Sequence, residues 1–140
     1  MHQLIYLSSA AVKFTEDELK ALLLKARENN SALQLTGMLL YIDGNFIQVL
    51  EGDKIKIRTL FETISSDPRH KSILKLLEKS IVERNFSDWT MGFKSLTMEE
   101  ASELSGYKNL RRDIFQVDNF KDSEHPAIKL LKTFYRTNIR

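Results

Sequence analysis

Residues 35–51, LTGMLLYIDGNFIQVLE, constrain the fold of this chain more than any other stretch. Two apolar segments are joined by Asp43-Gly44-Asn45, and Gly44 is free to take the positive φ that a tight turn requires. The segments predict two antiparallel strands, 35–42 and 46–51, with apolar residues on both faces. Because such strands must be covered on both sides, the rest of the chain has to supply two layers.

Gln48 is the exception within the second of these strands. Its neighbours Phe46, Ile47, Val49 and Leu50 are typical of a strand buried on both faces. A glutamine amide has two N–H donors and a carbonyl acceptor, and it needs up to four hydrogen-bond partners. The hairpin sequence alone does not identify these partners.

Hydrophobic periodicity predicts the other elements of the N-terminal part of the chain. Thr15 and Glu18 form a capping box before a helix over 16–29, and Asn29-Asn30-Ser31 is expected to end it. Asp67-Pro68 is expected to end a second helix, because the residue before a proline is disfavoured in helical geometry. Three further strands are predicted at 3–8, 72–82 and 90–96. The resulting order βαββαββ predicts an α+β, ferredoxin-like sheet with two helices on one face.

The character of the sequence changes after Leu96. Thr97 and Glu100 form another capping box, and Gly106 is a plausible helix stop. Pro126 begins a second helical pattern with one apolar stripe, formed by Ile128, Leu131, Phe134 and Tyr135. We therefore predict an α+β unit over 1–96 and a helical extension over 97–140 within the same globular unit. The stripe is expected to dock on the open face of the sheet or on another chain.

Composition excludes several classes of protein. The 140 residues are 42% hydrophobic and carry 21 Lys and Arg against 19 Asp and Glu, with no concentrated basic block. A net charge of +2 makes nucleic-acid or membrane binding unexpected. No cysteine is present, and no apolar run approaches the roughly 20 residues of a membrane span. His2, His70 and His125 are too scattered to indicate a metal site, and we expect a cytoplasmic protein without one.

Polar and large side chains recur at particular places in this pattern. They are Tyr6 in the first strand, Asn29-Asn30 in the first helix, Gln48 within QVLEG, Arg69-His70 after the second helix, and Trp89 with Met91. Each alone has an ordinary structural explanation. In this order and spacing they resemble the BLUF domain, a family of blue-light sensors using FAD. The resemblance covers residues 3–93, and the full length resembles the short BLUF proteins that carry only a C-terminal helical extension.

The resemblance implies an FAD cofactor held non-covalently, with its flavin ring between the two helices and over the sheet. Gln48 would lie between the flavin edge and Tyr6, which would explain how its amide is satisfied. Asn30 would clamp the pyrimidine edge of the flavin, with help from Asn29. Arg69 and His70 would lie near the ribityl and phosphate tail, although His70 is equally well explained as a solvated residue at a helix end.

The chemistry implied by the resemblance is photochemical, and we expect no enzymatic activity. Excited flavin is a strong oxidant, so Tyr6 would donate an electron and a proton, and the Gln48 amide would relay the proton and then stay reversed or tautomerised. Trp89 and Met91 would share one face of the fifth strand if that strand is regular, and they would compete for the place beside Gln48. The alternative is that both residues are inert core.

Output would then pass to a downstream protein in trans or through self-association, and we expect a homo-oligomer.

Two other classes of protein share the predicted topology. An acylphosphatase-like enzyme needs a glycine-rich anion loop with an arginine near the N-terminus, and LSSAAVKF contains neither. An RNA-recognition module needs exposed aromatic residues on the central strands, and here Tyr6 has only Phe46 as a candidate partner.

Overall fold

The computed structural model describes residues 1–87, 89–105 and 126–133. The elements within these ranges are β1 (His2–Ala10), α1 (Glu16–Leu33), β2 (Thr36–Ile42), β3 (Asn45–Gly52), α2 (Lys54–Ser65), β4 (His70–Ser80), β5 (Gly92–Leu96), α3 (Met98–Ser105) and α4 (Pro126–Thr133). The first seven elements follow the order βαββαββ. The predicted α+β, ferredoxin-like architecture is therefore confirmed.

The five strands form one mixed sheet in the order β4-β1-β3-β2-β5. β3 pairs antiparallel with β1 on one side and with β2 on the other, and β5 pairs parallel to β2 at the edge. The β2–β3 hairpin turns through Asp43 and Gly44, whose φ angles are 46° and 87°. Positive φ at both turn residues is the pattern of a type I′ turn, which matches the twist of the flanking strands.

Two apolar clusters lie on opposite sides of the sheet. Along β1, Leu4 belongs to one cluster and Ile5 to the other, as the alternation of side chains in a strand requires. The first, which we call the α1/α2 cluster, includes Leu4, Tyr6, Leu19, Leu39, Phe46, Leu50, Ile57 and Met91. The second, the C-terminal cluster, includes Ile5, Leu7, Met38, Val49, Phe86, Trp89, Met98, Ala101, Ile128 and Leu131. The central strands are consequently buried on both faces.

The first helix begins as predicted but ends later. Thr15 Oγ1 accepts from the Glu18 N–H at 3.2 Å, and Glu18 Oε1 accepts from the Thr15 N–H at 3.0 Å, so the capping box is confirmed. The prediction that Asn29-Asn30-Ser31 ends this helix is wrong, because α1 continues to Leu33 and is capped by Gln34 in the left-handed conformation. Asn30 donates its side-chain N–H to Thr90 and does not compete for its own backbone.

Other predicted boundaries are close to the observed ones. α2 ends at Ser65, just before Asp67-Pro68, and β4 begins at His70, two residues earlier than expected. The Thr97–Glu100 capping box is confirmed by two hydrogen bonds of 3.0 and 3.1 Å. Gly106, Phe134 and Tyr135 lie outside the described residues.

The first turn of α3 is also tied to the β2–β3 hairpin, because the Met98 N–H donates to Asp43 Oδ2 at 3.1 Å. This bond connects the C-terminal helices to the turn between the two central strands.

Within the described ranges, no helix has the length and apolar composition needed to cross a lipid bilayer.

A cluster of charges joins β1, α2 and β4 at one end of the sheet. Glu78 Oε2 lies 2.7 Å from both His2 Nε2 and Arg58 Nε, and Glu78 Oε1 lies 2.9 Å from Lys75 Nζ. Hydrogen bonds from Lys75, Arg58 and His2 lower the pKa of the Glu78 carboxyl from its ordinary 4.5 to about 2. Because the folded-state pKa is depressed, this cluster stabilises the fold above pH 4.5 and loses its effect as the pH falls toward 2.

Replacing Glu78→Gln is therefore expected to lower the free energy of unfolding near neutral pH, and the difference from the parent should shrink as the pH falls below 4.5. Urea unfolding over a series of pH values measures this difference. Glu62→Gln, at an exposed position of α2, is the matched control and should have little effect. A deficit in Glu78→Gln that is the same at every pH would contradict this account.

Candidate functional site

Tyr6 and Gln48 are directly opposed on neighbouring strands beneath α1 and α2. Tyr6 of β1 pairs with Gln48 of β3, and the two side chains are 2% and 5% exposed. The Tyr6 hydroxyl donates a hydrogen bond to Gln48 Oε1. Burial raises the pKa of the Tyr6 phenol, so the group holds its proton at physiological pH.

The nitrogen end of the Gln48 amide faces a much weaker partner. Its Nε2 atom lies 3.6 Å from Met91 Sδ, and a thioether sulfur is a weak hydrogen-bond acceptor. Gln48 also lines a cavity beneath α1 and α2. The protein thus satisfies the carbonyl end of the amide well and leaves the N–H end suited to a stronger acceptor in the cavity.

Met91 and Trp89 lie on different sides of the sheet, contrary to the expectation for a regular strand over 90–96. β5 begins only at Gly92, so the condition for a shared face is not met. Met91 belongs to the α1/α2 cluster, whereas Trp89 packs against Phe86 in the C-terminal cluster, with ring centroids 5.4 Å apart. The place beside Gln48 is occupied by Met91.

Hydrogen bonds to other elements explain why residues 89–91 are not part of the strand. The Trp89 carbonyl accepts from the Gly37 N–H at 3.0 Å, and the Thr90 carbonyl accepts from Asn30 Nδ2 at 2.8 Å. The Met91 carbonyl accepts from Arg27 Nε at 3.0 Å. Side chains of α1 therefore use backbone acceptors that a regular strand would offer to its neighbour.

A cavity of about 310 Å³ opens between α1, α2 and the sheet. This volume falls within the range of small-molecule sites in proteins, which is roughly 300–1,000 Å³. Its walls combine apolar side chains with amide, hydroxyl and charged groups. The lining residues are Tyr6, Leu22, Lys25, Ala26, Asn29, Asn30, Leu39, Phe46, Gln48, Leu60, Thr63, Ile64, Asp67, Arg69 and His70.

The two asparagines reach this cavity from the C-terminal half of α1. Asn30 is 1% exposed, and its Nδ2 donates to the Thr90 carbonyl. This bond fixes the orientation of the amide at the cavity wall. Asn29 also lines the cavity, although it is an exposed residue.

Arg69 and His70 line the same cavity at the start of β4. Arg69 pairs with Asp67 at 2.6 Å, and hydrogen bonding from Arg69 lowers the pKa of the Asp67 carboxyl to about 2. His70 Nδ1 lies 2.9 Å from Ser8 Oγ, and its ring packs against Phe46. Burial lowers the pKa of the His70 imidazole, which favours the neutral form. His70 is therefore a half-buried part of the site, and not a fully solvated residue at a helix end.

Sequence analysis missed Lys25, a cation that lines the cavity from α1. It precedes Asn29 by four residues, and residues with this spacing share one face of a helix. This periodicity was the signal that could have identified Lys25. Ser8, which anchors His70, shares a strand face with Tyr6 and could have been found in the same way.

The aromatic residues of the central strands are covered. Tyr6 and Phe46 are 2% and 1% exposed, and both belong to the α1/α2 cluster. An RNA-recognition sheet stacks bases on exposed aromatic rings. The packing of α1 and α2 over Tyr6 and Phe46 therefore disfavours that class of protein.

Comparison with known proteins gives concordant results. The family model described as "Sensors of blue-light using FAD", BLUF, matches residues 1–92. A photoactivated adenylate cyclase subunit beta of Euglena longa is 36% identical over 89 residues, which are 63% of this chain and 10% of that protein. The blue light- and temperature-regulated antirepressor BluF of Escherichia coli K12 is 30% identical over 79 residues, 56% of this chain and 20% of that protein. The chain thus matches about a tenth to a fifth of the length of these two relatives.

Two solved structures have similar folds over nearly the whole chain. BlrB, described as a BLUF protein in its dark state, has a TM-score of 0.72 and 27% identity, covering 94% of this chain and 96% of BlrB. The photo-activated state of BlsA has a TM-score of 0.80 and 24% identity, covering 99% and 97%. With the family match over residues 1–92, which include Tyr6, Gln48 and the cavity, the chain belongs to the BLUF family of blue-light sensors that use FAD.

Proposed function

We propose that this protein is a blue-light photosensor that binds FAD non-covalently in the cavity between α1, α2 and the sheet. The observation that carries the proposal is the buried Tyr6–Gln48 hydrogen bond, which lies at the wall of a cavity of ligand size. In this proposal residues 1–96 form the sensor, and residues 97–140 form a C-terminal extension of the same unit, in which the described helices are α3 and α4. With no cysteine in the chain, no thiol is available for covalent attachment to the flavin.

The chemistry of the cavity fits the parts of FAD. Apolar side chains from both helices and from the sheet form the walls, as a planar aromatic ring system requires. The Gln48 amide nitrogen, whose partner in the protein is only the Met91 thioether, and the amides of Asn29 and Asn30 supply donors and acceptors for a polar ring edge. Two cations, Lys25 and Arg69, also line the cavity and suit a phosphate-bearing tail.

Asn30 would hold the pyrimidine edge of the ring, with Asn29 beside it. Its amide is oriented in advance by the bond to Thr90, which reduces the conformational entropy lost on binding. Arg69 and His70 would contact the tail. Arg69 already pairs with Asp67, so a phosphate must share or displace that carboxylate, whereas no ion pair within the described residues engages Lys25.

FAD excited by blue light is a strong one-electron oxidant, and this is the chemistry that the cofactor supplies. Tyr6 would donate the electron and the proton, because its hydroxyl is bonded directly to the Gln48 amide. Its phenol is held neutral by burial, and its proton already points along the hydrogen bond to Gln48 Oε1. Gln48 would receive that proton at Oε1 and release one from Nε2 toward the photoreduced cofactor. Return of the electron and of a proton to Tyr6 would restore the phenol and leave the amide tautomerised or, after rotation, reversed.

Met91 would carry the change in Gln48 to the C-terminal helices. Its sulfur contacts the Gln48 amide nitrogen, and β5 follows directly at Gly92. α3 begins at Met98, only two residues after β5 ends. A displacement of Met91 therefore has a short covalent path to the helices that cover the opposite face, where Trp89 also packs.

We propose that the signal leaves the protein through a downstream partner in trans or through a change in self-association of a homo-oligomer. The chain is similar to short segments of photoactivated adenylate cyclase subunits and of a light-regulated antirepressor. In our proposal this chain acts as a sensor with no enzymatic activity of its own. The near balance of charge and the lack of cysteine suit a cytoplasmic setting.

The first test of this proposal is the cofactor and its response. Protein purified or refolded with FAD is expected to be yellow, and blue light should shift its absorption slightly to the red, with reversal in darkness. The shift follows because the Gln48 amide changes which group it offers to the ring. Absorption spectroscopy before, during and after illumination measures it. Protein that stays colourless after refolding with excess FAD would refute the proposal.

The second test concerns the donor and the relay. Tyr6→Phe removes the donor hydroxyl with little change in volume, and Gln48→Leu removes both ends of the amide, so neither variant should show the reversible red shift. Both should still bind FAD. The lost buried hydrogen bond is expected to cost about 1–3 kcal/mol, so folding is checked first by urea unfolding.

Tyr41→Phe is the matched control for this test. Tyr41 is another buried tyrosine of the α1/α2 cluster, and its hydroxyl accepts only from the Phe14 N–H among the bonds of the described residues. This variant should keep the red shift. A normal light-state spectrum in Tyr6→Phe or Gln48→Leu would end the proposed mechanism.

The third test concerns output. Met91→Ala should retain a red shift, because Tyr6 and Gln48 remain, but it should uncouple the shift from the C-terminal helices. Hydrogen exchange in α3 and α4, measured in darkness and under blue light, should differ between the two conditions in the parent and not in Met91→Ala. Leu19→Ala removes a similar amount of packing from the same cluster at the start of α1, about two turns before Arg27, which bonds the Met91 carbonyl, and it should respond like the parent. A Met91→Ala variant that also responds like the parent would rule out this route.

A further inference from the structure

Glu51 is a buried carboxylate at the end of β3, and the photochemistry proposed above does not use it. Its side chain is fully buried. Oε2 accepts from the Asn85 N–H at 2.7 Å, and Oε1 accepts from the Phe86 N–H at 3.0 Å and from Thr36 Oγ1 at 3.1 Å. A buried carboxylate is tolerated only when it is well hydrogen-bonded, and here most of that bonding comes from one distant loop.

Arg84 strengthens the same attachment from the loop side. Its Nη1 donates to Thr36 Oγ1 at 2.8 Å and to the Glu51 carbonyl at 3.1 Å, and its Nη2 donates to the Gln34 carbonyl at 2.9 Å. Three consecutive loop residues, Arg84, Asn85 and Phe86, are thereby fixed to the ends of β2 and β3. The backbone N–H groups of Asn85 and Phe86 bond the Glu51 carboxylate, so these two bonds define the position of the loop backbone itself. The Arg84 side chain adds bonds to the Thr36 hydroxyl and to two backbone carbonyls.

A series of hydrogen bonds continues from this attachment to Met91. The Phe86 carbonyl accepts from the Trp89 N–H at 3.0 Å, and the Trp89 carbonyl accepts from the Gly37 N–H at 3.0 Å. The carbonyls of Thr90 and Met91 are held by α1, as described above. We call residues 84–87 and 89–91 the crossover segment, because Phe86 and Trp89 pack on one side of the sheet and Met91 on the other.

Steric constraints leave this segment little freedom to move. A Cβ atom on Gly92 would lie 2.4 Å from Trp89 Cε3, and one on Gly37 would lie 2.0 Å from the Val49 carbonyl oxygen. Glycine at both positions allows the Trp89 ring and the β2 and β3 backbones to approach closely. The close approach of Gly92 to the Trp89 ring therefore couples the position of the segment to the first residue of β5.

The two ends of this series are held by the same strand. Gln48 contacts Met91 at one end, and Glu51 binds Asn85 and Phe86 at the other. Glu51 lies three positions after Gln48, an odd spacing, so their side chains project from opposite faces of β3. Both are fixed in register by β1 and β2, because Gln48 pairs with Tyr6 and Leu39 while Glu51 pairs with Gln3 and Thr36.

We propose that Glu51 is a positioning residue for the photoreaction: it fixes the crossover segment so that Met91 stays packed against Gln48, and it thereby sets how fast the light state returns to the dark state. The proposal rests on the proposed function. Met91 is 1% exposed and occupies the space beside the Gln48 nitrogen. The Gln48 amide returns to its dark arrangement only when Met91 yields, so a more loosely held segment lowers the barrier.

The experiment measures the dark recovery of the red-shifted absorption in Glu51→Gln. The substitution keeps the shape of the side chain but replaces one acceptor oxygen with an N–H₂ group that faces backbone donors. Recovery is expected to be faster by about fivefold, the effect of one impaired buried hydrogen bond on a barrier. The size of the red shift should be unchanged, because Tyr6 and Gln48 are intact.

Glu78→Gln is the matched control. It also removes a carboxylate that joins several elements of the sheet, but it lies outside the crossover segment. It should recover at the parent rate even where its stability is lower. Equal acceleration in both variants would show a general effect of destabilisation and would overturn the proposal.

A double-mutant cycle then tests whether Glu51 acts through Met91. If it does, Met91→Ala and the double variant Glu51→Gln/Met91→Ala recover at the same rate, since the contact that Glu51 positions is already lost. Independent, multiplicative effects would overturn the proposal. A readout that needs no light is the ¹³C-methyl NMR signal of Met91 in darkness, which should shift or broaden in Glu51→Gln and not in Glu78→Gln.

Two further outcomes separate this proposal from the one on which it rests. A parent protein without any red shift would refute the proposed function. A parent with a normal red shift and a Glu51→Gln variant with the parent recovery rate would refute only the role of Glu51. If Glu51→Gln does not fold, Arg84→Gln carries the same test, because it loosens the same attachment from a half-buried position.

Discussion

β3 carries polar side chains on both of its buried faces, and the rest of the structure is arranged to satisfy them. Gln48 projects toward α1 and α2, and Glu51 projects toward the side covered by the C-terminal helices. A buried amide and a buried carboxylate are both costly unless they are hydrogen-bonded. The chain meets this requirement with a tyrosine from β1 for Gln48 and with loop amides and a β2 hydroxyl for Glu51.

Glu51 and Gln48 differ in how fully the protein satisfies their hydrogen bonding. This difference identifies the side of the sheet under α1 and α2 as the candidate ligand-binding face. Glu51 accepts three hydrogen bonds from the protein itself. Gln48 receives a good donor at its oxygen but offers its nitrogen only to a thioether. A polar group that the protein satisfies only in part, at the wall of a cavity, is suited to a ligand that completes its hydrogen bonding. In a BLUF protein that ligand is FAD.

Particular residues show how far sequence reasoning could go at this site. The β2–β3 hairpin and the capping boxes follow from local periodicity and turn chemistry, whereas the position of Gln48 beside Tyr6 was implied by the family resemblance. The structure contains all of these features. The positions of Trp89 and Met91 could not be obtained in this way. Period-2 alternation holds only inside a strand, and the side chains of Asn30 and Arg27 bond the carbonyls of Thr90 and Met91, which lie before β5 begins at Gly92.

The end of α1 shows the same limit. Asn29-Asn30-Ser31 is typical of a helix end because asparagine side chains compete for nearby backbone groups. In the structure, however, the Asn30 side chain donates to the carbonyl of Thr90, which is 60 residues away along the chain. The sequence by itself therefore determined the order of elements and the buried central hairpin, since these depend on neighbours within a few residues. The order and spacing of particular residues between Tyr6 and Met91 indicated the family. Only the tertiary structure decided which groups hold the crossover segment and on which face each of Trp89 and Met91 lies. Those features depend on hydrogen bonds and packing between distant segments, which no local pattern specifies.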